Sequence, residues 1–324
     1  MSPRRFLAGL VACCCAALPV VAAADEPANP LAEFQRREGQ LFDTGWQLAR
    51  ANRAFCARTK PSIGLLIHDA ANYARAAEVR RALQLTGDIG VQAAAKGSPA
   101  ALGGIGPNWT LHAIDSFEVG ATWKPTRPTV QRTLDIEAAI DRRLADGEVV
   151  LALENGPAQV KRSTAYRGVD ICAANFRLTP GDAAYASADT VFFGDGFMGF
   201  GLRQDLFAAA VAHELAHVIQ QHAAHKERER WGWRETRESE READRMMPWL
   251  LFNAGHDPAS AAAWMQAWGP RYSGGLLRKR THDGWDERHA MILAEIAELR
   301  RLVTANGWAP GEADWAARFP AKSR

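Results

Sequence analysis

Three features are scarce in this sequence, and each absence excludes a class of protein or site. The formal net charge is only +2 over 324 residues, so no excess of positive charge indicates nucleic acid or an acidic membrane as a partner. Beyond residue 24, no apolar run approaches the ~20 residues of a membrane-spanning helix. Cysteine is rare too: three of the five stand at positions 13 to 15, and none belongs to a C-x-x-C metal site.

The composition is that of a folded protein. Apolar residues make up 47% of the chain and charged residues 23%, which excludes an intrinsically disordered chain. A single compact core rarely extends over a chain of this length. The sequence therefore predicts a globular protein with two domains.

The first 24 residues have the pattern of a secretory signal peptide. A basic pair, Arg4-Arg5, precedes an apolar stretch over residues 6–21, and Ala22-Ala23-Ala24 supplies the small residues that signal peptidase recognises. Leu10-Val11-Ala12-Cys13 also fits a lipoprotein cleavage box, after which Cys13 would carry a lipid and attach the protein to the outer membrane or elsewhere in the envelope. A retained membrane anchor is disfavoured because roughly 16 apolar residues are few for a span. We predict a periplasmic or secreted protein, with an envelope lipoprotein as the alternative.

Two cysteines, Cys56 and Cys172, lie outside this leader. Export would place them in an oxidising compartment, where two thiols readily form a disulfide. The sequence therefore predicts a disulfide between them, and the alternative is a pair of buried free thiols.

Helical and strand-like patterns follow one another before residue 170. Apolar residues among charges favour a helix between residues 31 and 57. After about residue 83 the pattern is mixed: a strand-like run over 89–95, a turn at Gly97-Ser98-Pro99, alternation over 109–114, an amphipathic helix over 136–144 and a hairpin closed by Asn155-Gly156.

The order of these elements resembles a PDZ domain of the bacterial kind. Gly97-Ser98-Pro99-Ala100 followed by Gly104-Ile105 is similar to the G-S-P-A-x-x-A-G-L turn of such domains, and residues 111–115 are similar to the strand after it. One departure is Asn108-Trp109, where the family usually has Gly-Asp. The resemblance implies a groove for an extended peptide; the alternative is a small β-rich insert without a peptide-binding role.

His213-Glu214-Leu215-Ala216-His217 carries the clearest chemical signal. It lies in a stretch that predicts one long helix from Leu206 to about Arg230, and residues four apart on a helix share a face. Both imidazoles could therefore bind one metal ion, while Glu214, about 100° around the helix, could act on a water beside that ion. The pattern predicts a zinc site with Glu214 as the catalytic base.

A catalytic zinc site needs a third protein ligand, and the next predicted helix offers one. Glu240 lies 23 residues after His217 and four residues before Asp244, so the two acidic side chains share a helix face. Glu240 would bind the metal, and Asp244 would accept a hydrogen bond from a ligand imidazole. Glu238 and Glu242 are the competing ligands nearby.

Together, H-E-L-A-H and the following E-x-x-A-D resemble the motifs of gluzincin metallopeptidases of the HtpX and CAAX-prenyl-endopeptidase type, in particular their exported members without membrane helices. The resemblance extends over residues 172–303. Residues 253–258 are similar to the family's A-G-Y-D-P segment, and Thr281-His282 with Arg288 is similar to its T-H-P-x-x-x-x-R segment. Two departures are Asp283, in place of the proline, and Tyr185, where an asparagine is usual.

This resemblance implies an α+β fold in which a mainly helical protease domain with a small β-sheet occupies residues 168–324. A PDZ-like domain over 83–167 and a helical segment over 25–82 would precede it. The family further implies one zinc ion per chain and an endopeptidase that hydrolyses unfolded or misassembled envelope proteins as part of protein quality control. The strand over Thr190–Phe193 would form the open edge on which a peptide substrate lies.

Three further histidines need an interpretation. His282 is a candidate fourth ligand or latch, because a histidine at this position approaches the zinc in some exported relatives; its alternative is a surface or turn histidine. A latched site would make the protein a weakly proteolytic chaperone or assembly factor that binds client proteins, which is the competing function. His222 and His225, further along the predicted long helix, are interpreted as exposed or packing residues.

Overall fold

The computed structural model describes residues 30–125, 129–156, 158, 160–272 and 283–321. Within these residues the protein has an α+β fold, as predicted, with helices and three separate sheets. None of the described helices is both long and apolar enough to span a lipid bilayer. The predicted leader over 1–24, Cys13 and His282 lie outside the described residues.

Strands dominate the middle of the chain and helices dominate its two ends. The first half contains α1 (Pro30–Ala51), β1 (Thr59–Ser62), β2 (Leu65–Asp69), α2 (Ala76–Ala82), β3 (Ile89–Ala94), α3 (Pro99–Leu102), β4 (Trp109–Ile114), β5 (Phe117–Glu118), α4 (Val119–Thr122), α5 (Gln131–Ala145), β6 (Val149–Asn155) and β7 (Val160–Tyr166). The second half contains β8 (Val169–Cys172), β9 (Asn175–Thr179), β10 (Ala184–Ser187), β11 (Thr190–Gly194), α6 (Gln204–Ile219), α7 (His222–Glu229), α8 (Trp233–Asn253), α9 (Ala259–Tyr272) and α10 (Trp285–Asn306).

Residues 63–166, here called the sheet module, build an antiparallel sheet with a core of its own. The strand order is β2-β3-β4-β6-β7, and β5 pairs with the end of β4. Helix α5 covers the sheet, and Val91, Leu111 and Ile136 are buried between them. The predicted hairpin is confirmed by the pairing of β6 with β7, in which Asn155 lies opposite Val160.

The sheet module is an insertion in a larger helical unit. Strand β1 leads into the module and β8 leads out of it, and the two strands pair antiparallel with Thr59 opposite Cys172. Helix α1 precedes the module, yet Leu41 and Trp46 are buried in the same core as Val191 of β11. Helix α1 therefore packs as a part of the helical unit that follows the module.

The predicted boundary at residue 82 does not coincide with a change of core. The sequence pattern predicts a helical segment over 25–82, but β1 and β2 lie within it, and β2 pairs with β3 of the module. The reason is that helical periodicity is the same whichever core a helix joins. Only packing between distant segments decides that α1 joins the core of the helical unit, whereas β2 contributes Ile67 to the core of the module and Leu66 to that of the helical unit.

The helical unit contains a three-stranded sheet with the order β10-β11-β9. Strand β11 pairs antiparallel with β10 and parallel with β9. The prediction that Thr190–Phe193 forms the open edge is therefore wrong, because β11 is paired on both sides. Within this sheet the open edge next to α6 is β10, Ala184–Ser187.

The predicted long helix from Leu206 to about Arg230 is interrupted, and in this respect the prediction is wrong. Helix α6 ends at Ile219, Gln221 adopts a left-handed φ of 53°, and α7 begins at the next residue. The Gln220 side chain stabilises the break by donating a hydrogen bond to the Phe319 carbonyl at 3.0 Å. A glutamine with positive φ is uncommon, and no glycine or proline in the sequence marks this turn.

Cys56 and Cys172 are joined by a disulfide, with their Cα atoms 5.6 Å apart. The bond lies where the chain enters the sheet module through β1 and leaves it through β8. It therefore reinforces the paired strands that connect the module to the helical unit.

We expect the double substitution Cys56→Ala/Cys172→Ala to lower the free energy of unfolding by about 2–5 kcal/mol, because the bond closes a long loop in the unfolded chain. Denaturant unfolding of the oxidised wild type and of the variant measures this difference, and reduced wild type should match the variant. Peptide mapping without reduction should recover the two fragments linked. Recovery of Cys56 and Cys172 as separate free thiols would contradict the bond.

Candidate metal centre

Helices α6 and α8 pack together and bring three polar side chains to their contact. His213 and His217 lie one turn apart on α6, and their Nε2 atoms are 3.3 Å from each other. Glu240 reaches them from α8, with Oε2 lying 3.5 Å from Nε2 of His213 and Oε1 lying 3.5 Å from Nε2 of His217. The structure therefore brings together the three predicted ligands, here called the triad.

The spacing within the triad suits a single metal ion. Metal–ligand bonds of about 2.0–2.1 Å at tetrahedral angles place neighbouring ligand atoms ~3.3–3.4 Å apart. The observed separations of 3.3 and 3.5 Å agree with this value. Imidazole nitrogen and carboxylate oxygen are donors for several divalent transition metals, so the triad is a candidate metal site.

The two competing acidic residues point away from the triad. The Glu238 side chain is 62% exposed and pairs with Arg241 on the surface of α8. Glu242 pairs with His222, 3.2 Å away. Each of them is two residues away from Glu240 in the sequence. Two residues correspond to a rotation of about 200° around a helix, so neither carboxylate lies on the same face as that of Glu240.

A buried carboxylate supports the first ligand histidine. Nδ1 of His213 lies 3.1 Å from an Asp244 oxygen, although its direction is not aligned for an ideal hydrogen bond. Asp244 is fully buried and accepts two hydrogen bonds from the Arg288 guanidinium, at 2.6 and 2.7 Å. Burial alone would lower the pKa of His213, but the Asp244 and Glu240 carboxylates outweigh it and raise this pKa to about 10. Asp244 thus lies beside Nδ1 of His213, as the sequence predicts, but without the predicted hydrogen bond.

Another histidine contacts the second histidine of the triad. Nδ1 of His217 lies 2.9 Å from Nδ1 of His222, whose Nε2 lies 3.2 Å from a Glu242 oxygen. Burial lowers the pKa of His217 to about 3 and keeps its imidazole neutral, the form that binds metals. The interpretation of His222 as an exposed or packing residue is incomplete, since it is buried and contacts a triad residue.

No signal in the sequence could have identified His222. It follows His217 by five residues, a spacing that on one continuous helix would turn its side chain to a different face. Only the left-handed turn at Gln221 brings the first residue of α7 back to the end of α6. His225, by contrast, is a buried packing residue: its ring stacks on Trp231, and its Nδ1 lies 2.7 Å from Glu229.

Glu214 lies beside the triad and lines a cavity of about 480 Å³. Burial raises the pKa of its carboxyl to about 7, with the charge of Glu240 acting in the same direction. On one side the cavity is bordered by β10, including Ala184 and Tyr185, and on another by aromatic side chains of Phe197, Trp264 and Trp268. The arrangement combines a candidate metal triad, a carboxyl group with a pKa of about 7 and a strand edge that no other described strand covers.

The residues that depart from the family pattern have definite contacts. Tyr185 stacks on Phe192 at a ring distance of 5.1 Å and lines the cavity from the strand edge. Asp283 accepts a hydrogen bond of 2.6 Å from Arg241, so α8 holds the chain just before α10 begins. Arg288, from the family's last motif, is the partner of Asp244 described above.

We expect Glu240→Ala to abolish stoichiometric zinc binding, because it removes the carboxylate that lies between the two imidazoles. Glu238→Ala is the matched control: it removes an exposed acid on the same helix and should leave the zinc content unchanged. Metal analysis of both variants after dialysis against zinc-containing buffer measures the result. Equal zinc in wild type and Glu240→Ala would contradict the ligand set.

Comparison with known proteins adds no relative from which a function could be taken. No protein-family model matches this chain, and no curated protein is similar to it at a significant level. The functional conclusion therefore rests on the residues and distances of the triad, the cavity and the strand edge.

Proposed function

We propose that the protein is a zinc-dependent endopeptidase that hydrolyses unfolded or misassembled proteins of the cell envelope. The proposal is carried by the position of Glu214, a half-buried carboxyl beside the triad in a cavity that borders the open edge of β10. A metal triad alone would serve storage or structure equally well. A base and a peptide-binding edge beside it support hydrolysis of a peptide bond.

His213, His217 and Glu240 would hold one zinc ion per chain. Two histidines and one glutamate are a ligand set of catalytic zinc in peptidases. When bound, zinc polarises water and the carbonyl group of the scissile bond. The ion-paired Asp244 and the buried His222 would hold the two ligand imidazoles in place.

Glu214 would move the protons. Because burial raises its pKa to about 7, the carboxyl can both accept and return a proton near neutral pH at little cost in free energy. It would accept a proton from the attacking water and deliver it to the amine that leaves. These two transfers give a single residue the roles of general base and general acid.

Strand β10 offers an extended peptide a place to bind. The Gly194 N–H donates to the Ala183 carbonyl across the β10–β11 pair. Hydrogen-bonded positions alternate in antiparallel pairs, so the N–H and C=O groups of Ala184 and Ala186 point away from β11 toward the open edge. A peptide that adds to this edge would run along the cavity past Glu214. Binding through the backbone suits substrates of varied sequence.

The sheet module would bind or restrain a substrate chain. Its resemblance to a PDZ domain supports this role, as does the position of β2 at one end of the strand order with α5 beside it. An edge strand next to a helix can accept an extended peptide as a further strand. A cavity of about 60 Å³ between β2 and α5 is also lined by side chains of α1 and β9. A peptide bound to the module would therefore lie next to the helical unit.

We expect Glu214→Gln to reduce cleavage of casein by at least about 100-fold, because the amide cannot accept the proton of the attacking water. Its zinc content should equal that of wild type, since Glu214 is not a ligand. The matched control is Glu238→Gln, an exposed acid on α8 that should leave both quantities unchanged. Casein cleavage and zinc analysis are measured on the same samples.

Two outcomes would contradict the proposal. If Glu214→Gln cuts casein as fast as wild type, the base is another residue. If wild type binds zinc without cutting casein or a panel of unfolded envelope proteins, the chaperone or assembly-factor function replaces the peptidase.

We also expect Ala186→Pro to lower kcat/KM for unfolded substrates by about fivefold. This factor corresponds to the free energy of one lost hydrogen bond. Proline removes the N–H that points to the open edge and is tolerated on edge strands. Ala186→Val keeps the N–H, adds similar bulk and should retain most of the activity. If both variants lose kcat/KM equally while their zinc content is unchanged, the effect is steric, and this result would contradict substrate binding through the edge of β10.

A further inference from the structure

Three side chains form a continuous hydrogen-bonded chain behind one ligand of the triad. Glu242 lies 3.2 Å from Nε2 of His222, and Nδ1 of His222 lies 2.9 Å from Nδ1 of His217. His222 is only 3% exposed. Glu242 comes from α8, His222 from α7 and His217 from α6, so the chain joins three helices.

With Glu242 ionised and His222 neutral, each hydrogen bond in this chain has one possible direction. An ionised carboxylate only accepts hydrogen bonds, so Nε2 of His222 is the donor to Glu242. A neutral imidazole has one donor and one acceptor nitrogen, which makes Nδ1 of His222 the acceptor. Nδ1 of His217 must then donate, and its Nε2 carries the free electron pair that faces Glu240 and the other ligand imidazole.

We propose that His222 and Glu242 are positioning residues that select the metal-binding tautomer of His217 and hold its ring in place, and so set the affinity of the triad for zinc. The inference rests on the proposed zinc site. The negative charge of Glu242, passed on through His222, also makes Nε2 of His217 a stronger electron donor. Asp244 supports the other ligand directly, whereas Glu242 acts through a second imidazole.

His225 provides a matched control for this role. It lies on the same helix as His222, is similarly buried at 4% exposure, and also packs against Trp231. Its Nδ1 pairs with Glu229 instead of a triad residue. A loss of α7 packing should therefore follow from either substitution, whereas a loss of tautomer control should follow only from substitution of His222.

The test is the zinc dissociation constant of the full chain, measured by competition with a chromogenic chelator at one fixed pH. We expect His222→Ala to weaken zinc binding about 10- to 100-fold, the usual effect of removing an orienting partner of a metal ligand. His222→Asn should recover most of the affinity, because its amide oxygen can accept a hydrogen bond from the Nδ1–H of His217. His225→Ala should stay within about twofold of wild type.

Glu242→Gln tests the other end of the hydrogen-bonded chain from His217 to Glu242, and it leaves the sequence of α7 unchanged. Loss of the charge should weaken zinc binding by about tenfold, the lower end of the same range. Thermal unfolding of the metal-free proteins identifies any variant that is merely destabilised. If His222→Ala does not fold, Glu242→Gln and His222→Asn still decide the question: wild-type affinity in Glu242→Gln together with affinity lost in His222→Asn would overturn the proposal.

The remaining outcomes separate this inference from the proposed function. If wild type binds no zinc, the proposed zinc site itself fails. If wild type binds zinc and His222→Ala binds it equally tightly, the triad stands and the positioning role is overturned. Equal weakening by His222→Ala and His225→Ala would assign the effect to packing of α7 and would also overturn it.

Discussion

The buried ion pair between Asp244 and Arg288 is the interaction on which the candidate site depends. Asp244 lies on α8, Arg288 on α10, and the same carboxylate contacts His213 on α6, so one group connects three helices. A carboxylate buried without a partner would strongly destabilise the fold, and the two hydrogen bonds from the guanidinium compensate for its burial. Because Glu240 lies one turn before Asp244, the same pair also fixes where the third ligand reaches the two imidazoles.

The two histidines of the triad are held by different means. A carboxylate paired with a guanidinium contacts the first, and a second imidazole backed by Glu242 contacts the other. The second arrangement exists because α6 ends at Ile219 and the chain turns through Gln221 before α7 begins. An uninterrupted helix would have carried His222 away from the triad. A locally unfavourable backbone conformation thus has a direct consequence for the geometry of the site.

The sheet module is connected to the helical unit, which contains the triad, by paired strands and by hydrogen bonds of Lys60. Both connections of the module, β1 and β8, lie side by side and are joined by the disulfide. Lys60 on β1 donates to Asp141 of α5 at 3.2 Å and to Asn175 of β9 at 2.7 Å, so it bridges the two units. Strand β9 pairs with β11, which pairs with the open edge β10.

The sequence by itself determined the features that depend on spacing within one element. The shared helix face of two histidines four apart, that of Glu240 and Asp244, and a hairpin near Asn155-Gly156 each follow from local geometry, which is the same in any protein. The tertiary structure alone decided that β10 is the open edge, that the helix breaks at Gln221, that His222 contacts His217 of the triad and that the sheet module is inserted after α1. These features depend on contacts between residues far apart in the chain, such as Gln220 with Phe319. Contacts of this kind do not produce a periodic pattern in a short stretch of sequence, so they cannot be predicted from it.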